Sequence, residues 1–91
     1  MSYLYRSTAQ FWAQFNALPT QQQASARAAL MIFKEDPFDP RLRTHKIHRL
    51  SAVFKRTVHA VVIEGDLRAA FFIEGETVVS FAIGSHDIYK R

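Results

Sequence analysis

The apolar positions along the chain change period twice. Tyr3-Leu4-Tyr5 is a short aromatic run with polar flanks and predicts a first strand. Phe11, Phe15 and Leu18 then recur at helical spacing, one stripe on a helix that Pro19 stops. Ahead of it, Ser7-Thr8-Ala9-Gln10 has the form of a capping box, with Ser7 able to satisfy an orphan amide and Gln10 able to reach back. Thr20-Gln21-Gln22-Gln23 repeats that form and opens a second helix. There Ala24, Ala28, Met31 and Ile32 share a face that Leu30 and Phe33 widen. This helix is expected to end before Asp36-Pro37, because proline disfavours helical geometry in the residue before it.

From Asp36 to about Val53 the sequence shows no period, only Pro37, Pro40 and basic residues, and predicts a long loop of the kind that is more often functional than idle. Three β-rich runs follow, Phe54–Glu64, Leu67–Glu74 and Thr77–Gly84. Gly65-Asp66 and Gly75-Glu76 separate them as two-residue connections that close tight antiparallel hairpins. The expected fold is α+β in the order βααβββ. The N-terminal strand and the αα-hairpin would pack on one face of an antiparallel sheet of about four strands. Strict alternation puts Thr77, Val79, Phe81 and Ile83 on one side of the last strand, with Val78, Ser80 and Ala82 on the other. In the strand before it Arg68, Ala70 and Phe72 share a face. If small residues line the face away from the helices, that face is shallow enough to admit a ligand backbone.

Ninety-one residues with 48% apolar content and eight Phe make one domain, 1–91, with one core. The absence of cysteine excludes a disulfide framework, a thiolate nucleophile and the usual structural zinc ligands. With no apolar leader and no long apolar run, the expectation is a soluble, cytoplasmic protein with no membrane partner.

Charge changes the picture more. The nineteen residues Arg41 to His59 hold six of the twelve Lys/Arg, three of the four His and no acid. That window carries +6, and the remainder of the chain carries −2. So lopsided a surface faces a polyanion, since Lys and Arg neutralise phosphates and release counterions. The alternative is a solvated stripe that serves solubility. Histidines among fixed cations have their proton affinity lowered, which suits proton transfer near neutral pH.

A second stretch, Ile83-Gly84-Ser85-His86-Asp87-Ile88-Tyr89-Lys90-Arg91, sets His86 where a sheet gives way to irregular chain. His86 is either a proton carrier or a structural histidine. Ser85-His86-Asp87 is not a triad, because chain neighbours in an extended strand point apart. His45 and His48 have no carboxylate beside them, so neither a metal site nor a cofactor is expected. Arg68, alone among apolar neighbours, either pairs with Glu64 or Glu74 or binds phosphate. Tyr89 either stacks on a base and orients a phosphate, or packs on the sheet edge.

The order of elements and several short pieces resemble the RelE/ParE superfamily of toxins from bacterial type II toxin–antitoxin pairs, over nearly the whole chain. The pieces are Phe15-Asn16-Ala17-Leu18-Pro19, Phe33-Lys34-Glu35-Asp36-Pro37, Leu42-Arg43-Thr44-His45-Lys46-Ile47, Asp66-Leu67-Arg68, and Ile83-Gly84-Ser85-His86-Asp87 followed by Tyr89. The resemblance implies a RelE-like, metal-independent, ribosome-dependent endoribonuclease acting on messenger RNA. A cognate antitoxin would silence it in a toxin–antitoxin hetero-oligomer. It implies catalytic roles for His86, Arg68, Tyr89 and His48, and phosphate contacts from Lys46, Arg49, Lys55, Arg56, Arg43, Lys90 and Arg91. Because the basic window contains no acid, such chemistry would rest on His, Lys and Arg. Two other readings are a ParE-like inhibitor of DNA gyrase that cuts nothing, and an inactive relative that only binds a partner.

Overall fold

Gly65 and Gly75 take φ values of +46° and +62°, the left-handed conformation that glycine adopts without a Cβ clash, and they turn the chain back on itself twice. The strands on either side are β3 (Val58–Glu64), β4 (Leu67–Glu74) and β5 (Thr77–Gly84). The computed structural model describes residues 3–89, with His86 described by its backbone alone; Lys90 and Arg91 lie outside the described residues. Upstream come β1 (Leu4–Ser7), α1 (Ala9–Asn16), α2 (Thr20–Glu35), β2 (His45–Lys46) and α3 (His48–Phe54). Short 3-10 turns occupy Pro40–Leu42 and His86–Tyr89. The sheet has five strands in the order β1-β5-β4-β3-β2, with β1 parallel to β5 and the other pairs antiparallel.

The fold is α+β, with the strand, the hairpin and the three C-terminal strands in the expected order. Thr8 rather than Ser7 caps α1, its Oγ1 accepting from the Phe11 amide at 3.1 Å, while Ser7 stays in β1 opposite Ser80. No side chain caps α2; Gln23 instead reaches back to the carbonyls of Asn16 and Leu18. Its buried face is Ala26, Ala29 and Phe33, and Met31 points to solvent. The bulk of Phe33 sets the rotation of this helix, since alanines on several faces leave its apolar stripe ambiguous. Phe33 meets Phe71 edge-on at 4.9 Å, and with Phe11 and Phe15 it forms the centre of the larger core.

Two additions change the second half. The expected loop contains β2 and α3, and Phe54 ends α3 instead of opening a strand. Seven residues make a helix too short to stand alone. It is pinned by fully buried Leu50 and by Ser51, whose hydroxyl accepts from the Val58 amide at 2.8 Å. In β5, Ala70 pairs with Ala82 but Phe71 pairs with Ser80, so Phe81 is a bulge. The bulge breaks the alternation. Val78 and Ile83 face the helices, and Phe81 and Ala82 both face the other way. Beyond Ser80 the strand has outrun β1, and side chains of α1 replace the missing partner: Gln10 donates to the Phe81 carbonyl at 3.0 Å and Gln14 accepts from the Ile83 amide at 2.9 Å.

Candidate functional site

The sheet face away from α1 and α2 is built from small residues. Ala60, Ala70 and Ala82 stand in one register row across β3, β4 and β5, all buried. The face is not open. Leu50 of α3 and Ile88 and Tyr89 of the last turn pack over it, in a second core with Val58, Phe72 and Phe81. The turn sits close, because a Cβ on Gly84 would come within 2.9 Å of the Ile88 side chain. The floor of small residues therefore carries two roofs, one the basic helix and the other the C-terminal signature.

Arg68 lies in the next row, between Val62 and Gly84, on this same face. Among the described residues the ion pairs are Arg41–Asp39 and Arg56–Glu74, so neither Glu64 nor Glu74 holds Arg68. Its guanidinium donates to the Gly65 carbonyl at 2.6 Å and to that of Leu67 at 3.3 Å. It also lies beside the Tyr89 hydroxyl. Burial raises the Tyr89 pKa above its ordinary value, and the neighbouring Arg68 charge offsets part of that rise. Tyr89 is therefore a protonated hydroxyl at neutral pH, next to a guanidinium.

The basic window is divided by its fold. His48 and Arg49 open α3 on the Arg68 side of the sheet and are exposed. Lys55 caps the far end of α3 in a left-handed conformation, φ 55°. Arg56 follows, paired with Glu74 at 3.1 Å, its guanidinium 4.4 Å from the centre of the Phe72 ring. Lys46 departs from the group. It pairs with His59 in the β2–β3 register, and directly opposed residues share a face. His59 packs against Phe71 and Phe38 on the helix side, so Lys46 belongs to that side at the sheet edge. Arg43, φ 49°, ends the first 3-10 turn.

His45 has the opposite fate. Standing opposite Ala60, it faces the alanine row from the edge strand. Its Nδ1 lies 2.8 Å from the Arg43 carbonyl, which can only accept, so Nδ1 donates this bond and Nε2 takes no part in it. A two-residue strand gives no alternation from which this facing could be read in the sequence. His59 is a half-buried imidazole, neutral at pH 7, whose Nδ1 has no hydrogen-bond partner among the described residues. Burial, reinforced by Lys46 and His45, lowers its pKa.

A cavity of about 560 Å³ lies elsewhere. It opens between β1, α1 and α2, with Tyr5, Trp12, Leu30 and Met31 in its walls and Arg6, Arg27 and Lys34 among its lining. It holds none of the residues proposed for chemistry. Among the described residues no three His, Asp or Glu converge as a metal set. No helix among them is long and apolar enough to cross a membrane.

A helical hairpin on one face of a mixed five-stranded sheet, with a short basic helix and a C-terminal turn on the other, defines the class. This is the fold of RelE-like toxins. A chain of the E. coli DinJ–YafQ toxin–antitoxin complex matches with a TM-score of 0.76 at 6% identity, covering 100% of both chains. A chain of the archaeal RelE–RelB complex from Pyrococcus horikoshii matches with a TM-score of 0.70 at 12% identity, over 93% of this chain and 96% of that one. A metal-bound toxin from Helicobacter pylori matches at 0.62 and 16% identity, over 97% and 98%. No protein-family model and no curated protein sequence matches the chain.

Proposed function

We propose that this protein is the toxin of a toxin–antitoxin pair and that it cleaves messenger RNA on the ribosome. The observation that carries this reading is the Arg68–Tyr89 pair, lying on the same sheet face as a helix that begins His48-Arg49. The structural likeness to RelE and YafQ toxins supports it. In the reaction the RNA 2′-hydroxyl attacks the adjacent phosphorus, the bond to the 5′-oxygen breaks, and a cyclic phosphate and a 5′-hydroxyl result. The steps need a base, an acid and positive charge on the phosphorane-like transition state. Arg68 supplies the charge, with Arg49 holding a neighbouring phosphate. His45 and His48 are proton carriers on this side of the sheet, His86 of the last turn is a third, and Tyr89, its hydroxyl enclosed beside Arg68, holds that guanidinium for the phosphate. Lys55, Arg56 and Arg43 extend the phosphate track, and Lys90 and Arg91 continue it past the described residues.

The test is cleavage of messenger RNA in programmed ribosomes by the purified protein, with gyrase supercoiling assayed in parallel. Cleavage is expected, and His86→Ala should lower it by about 10²–10⁴-fold without unfolding the chain. Inhibition of supercoiling without cleavage would establish the ParE-like reading instead. The partner is expected to be an antitoxin whose inhibitory segment is acidic and amphipathic, complementing the +6 of residues 41–59. Co-expression with it should rescue growth and yield a stable hetero-oligomer.

A further inference from the structure

A second, smaller cavity of about 230 Å³ lies on the site face, at the end of the sheet remote from Arg68. Its lining is Thr8, Gln10, Phe54, Phe72 and Phe81. Three aromatic rings from three elements converge there: Phe54 ends α3, Phe72 lies in β4, and Phe81 is the bulge of β5. Phe54 and Phe72 stand 5.2 and 5.7 Å from Phe81, and both are only half-buried. The volume falls below the about 300–1,000 Å³ of a site for a whole small molecule. It suits one flat ring system.

Two features mark what kind of ring. The Arg56 guanidinium, outside the lining, lies 4.4 Å from the centre of the Phe72 ring, so a cation stands against one of the three aromatic planes. Single-stranded RNA is recognised by splaying its bases onto aromatic and guanidinium planes, while basic groups meet the adjoining phosphates. The second feature is the Gln10 carboxamide. One of its amide hydrogens goes to the Phe81 carbonyl at 3.0 Å, which fixes the orientation of the group. Gln10 is exposed, and its other amide hydrogen and its Oε1 make a donor and acceptor pair that can meet the edge of a nucleobase.

We propose that this aromatic cavity is a nucleobase subsite that reads one base, that of a nucleotide flanking the cleaved bond. The proposal rests on the RNA-cleavage reading and adds the base that the protein reads. Phe72 stands four positions from Arg68 along β4, about 13 Å of strand. The base seated on Phe72 therefore belongs to a neighbour of the scissile phosphate and not to the scissile nucleotide. Phe54, Phe72 and Phe81 supply the stacking surface. Gln10 is the specificity residue. Arg56 exchanges its exposed pairing with Glu74 for the flanking phosphate.

The experiment uses the full chain with programmed ribosomes whose messages vary a single flanking position over all four bases. Cleavage is expected to favour one base at one fixed position by about 5- to 150-fold. Gln10→Ala should flatten that preference while cleavage itself continues, and Phe54→Leu should weaken discrimination at that position alone. Arg68→Ala should lower cleavage of all four messages equally. An unchanged base profile in both Gln10→Ala and Phe54→Leu overturns the proposal. If no message is cut, the cleavage reading has failed, and the subsite is judged separately with an azidoadenosine-containing oligoribonucleotide. Photocrosslinks to the peptides holding Gln10, Phe54 or Phe72 uphold it. Crosslinks confined to other peptides overturn it.

Discussion

Arg68→Ala separates a structural arginine from a catalytic one, because the structure sets very different magnitudes for the two. The side chain is half-buried, and its shorter hydrogen bond, to Gly65, lies in an exposed turn where water can replace it. Its bond to Leu67 is long, at 3.3 Å, and no carboxylate among the described ion pairs depends on it. Deletion should therefore cost about 1 kcal/mol of stability. In a domain of this size that lowers the Tm by about 4–8 °C. Loss of a preorganised charge at a transition-state oxygen costs far more in rate, about 10²–10³-fold.

Denaturant titration and single-turnover cleavage on programmed ribosomes give the two numbers from the same preparation. Arg68→Lys should fall between the native protein and Arg68→Ala, since an ammonium keeps the charge but loses the planar fork. Cleavage at the native rate by a folded Arg68→Ala protein would refute the role given to this residue. A loss of more than about 3 kcal/mol of stability would refute the reading of its hydrogen bonds, because losses that large come from breaking a buried network.

Three other perturbations follow from particular side chains. Replacing Lys46 and Arg49 together by Ala should flatten the salt dependence of ribosome or RNA binding by about 0.7 in log–log slope for each phosphate that is no longer neutralised. Since Lys46 lies on the helix side of the edge strand, Arg49→Ala alone should account for more of the change than Lys46→Ala; equal effects would contradict that facing. His59 has its pKa lowered, so between that value and about 6.5 the unfolded chain binds a proton that the folded chain does not. Stability should thus fall as pH drops below about 6.5, and His59→Phe should remove most of that slope in denaturant titrations at pH values about one unit either side of 6.5; an identical slope would place its origin elsewhere. Gly84→Ala brings a Cβ to 2.9 Å from the Ile88 Cγ2, so that side chain or the turn that carries it must move. Cleavage should fall while the Tm stays nearly unchanged, and unaltered kinetics would detach that turn from the site.

What the sequence made legible follows the strength of each local signal. Positive-φ glycines and a proline speak through backbone sterics alone, so the bounds of β4, β5 and the end of α2 could be read directly. α3 could not. Its two turns offer only Leu50 and Phe54 at helical spacing, and it is held by the Ser51–Val58 hydrogen bond, which depends on where the sheet begins. The same dependence hid the divided basic window. A run of cations in sequence carries no facing until β2 pairs with β3, and that pairing sends Lys46 to the helix side and His45 to the alanine row. Arg68 was recognisable from its isolation among apolar neighbours, and Tyr89 from its place behind the strand end. Their juxtaposition arises only when the last turn folds over Gly84.

The bulge at Phe81 is the feature on which both faces depend. With unbroken alternation Ile83 would stand opposite Arg68, filling the floor there with a branched side chain, and Ala82 would leave a gap among the helices. The extra residue reverses the parity. Ile83 enters the larger core, almost fully buried, while Ala82 and Gly84 keep the opposite face shallow beside Arg68. It also leaves Phe81 on the same side as Ala82, where it becomes the central ring of the aromatic cavity. Strand groups of β5 beyond the end of β1 would be costly if buried without partners, and Gln10 and Gln14 of α1 take them up. Gln10 thus joins the packing of the first helix to the cavity on the far face. A substitution there acts on the site through a hydrogen bond to backbone as well as through its own free amide edge.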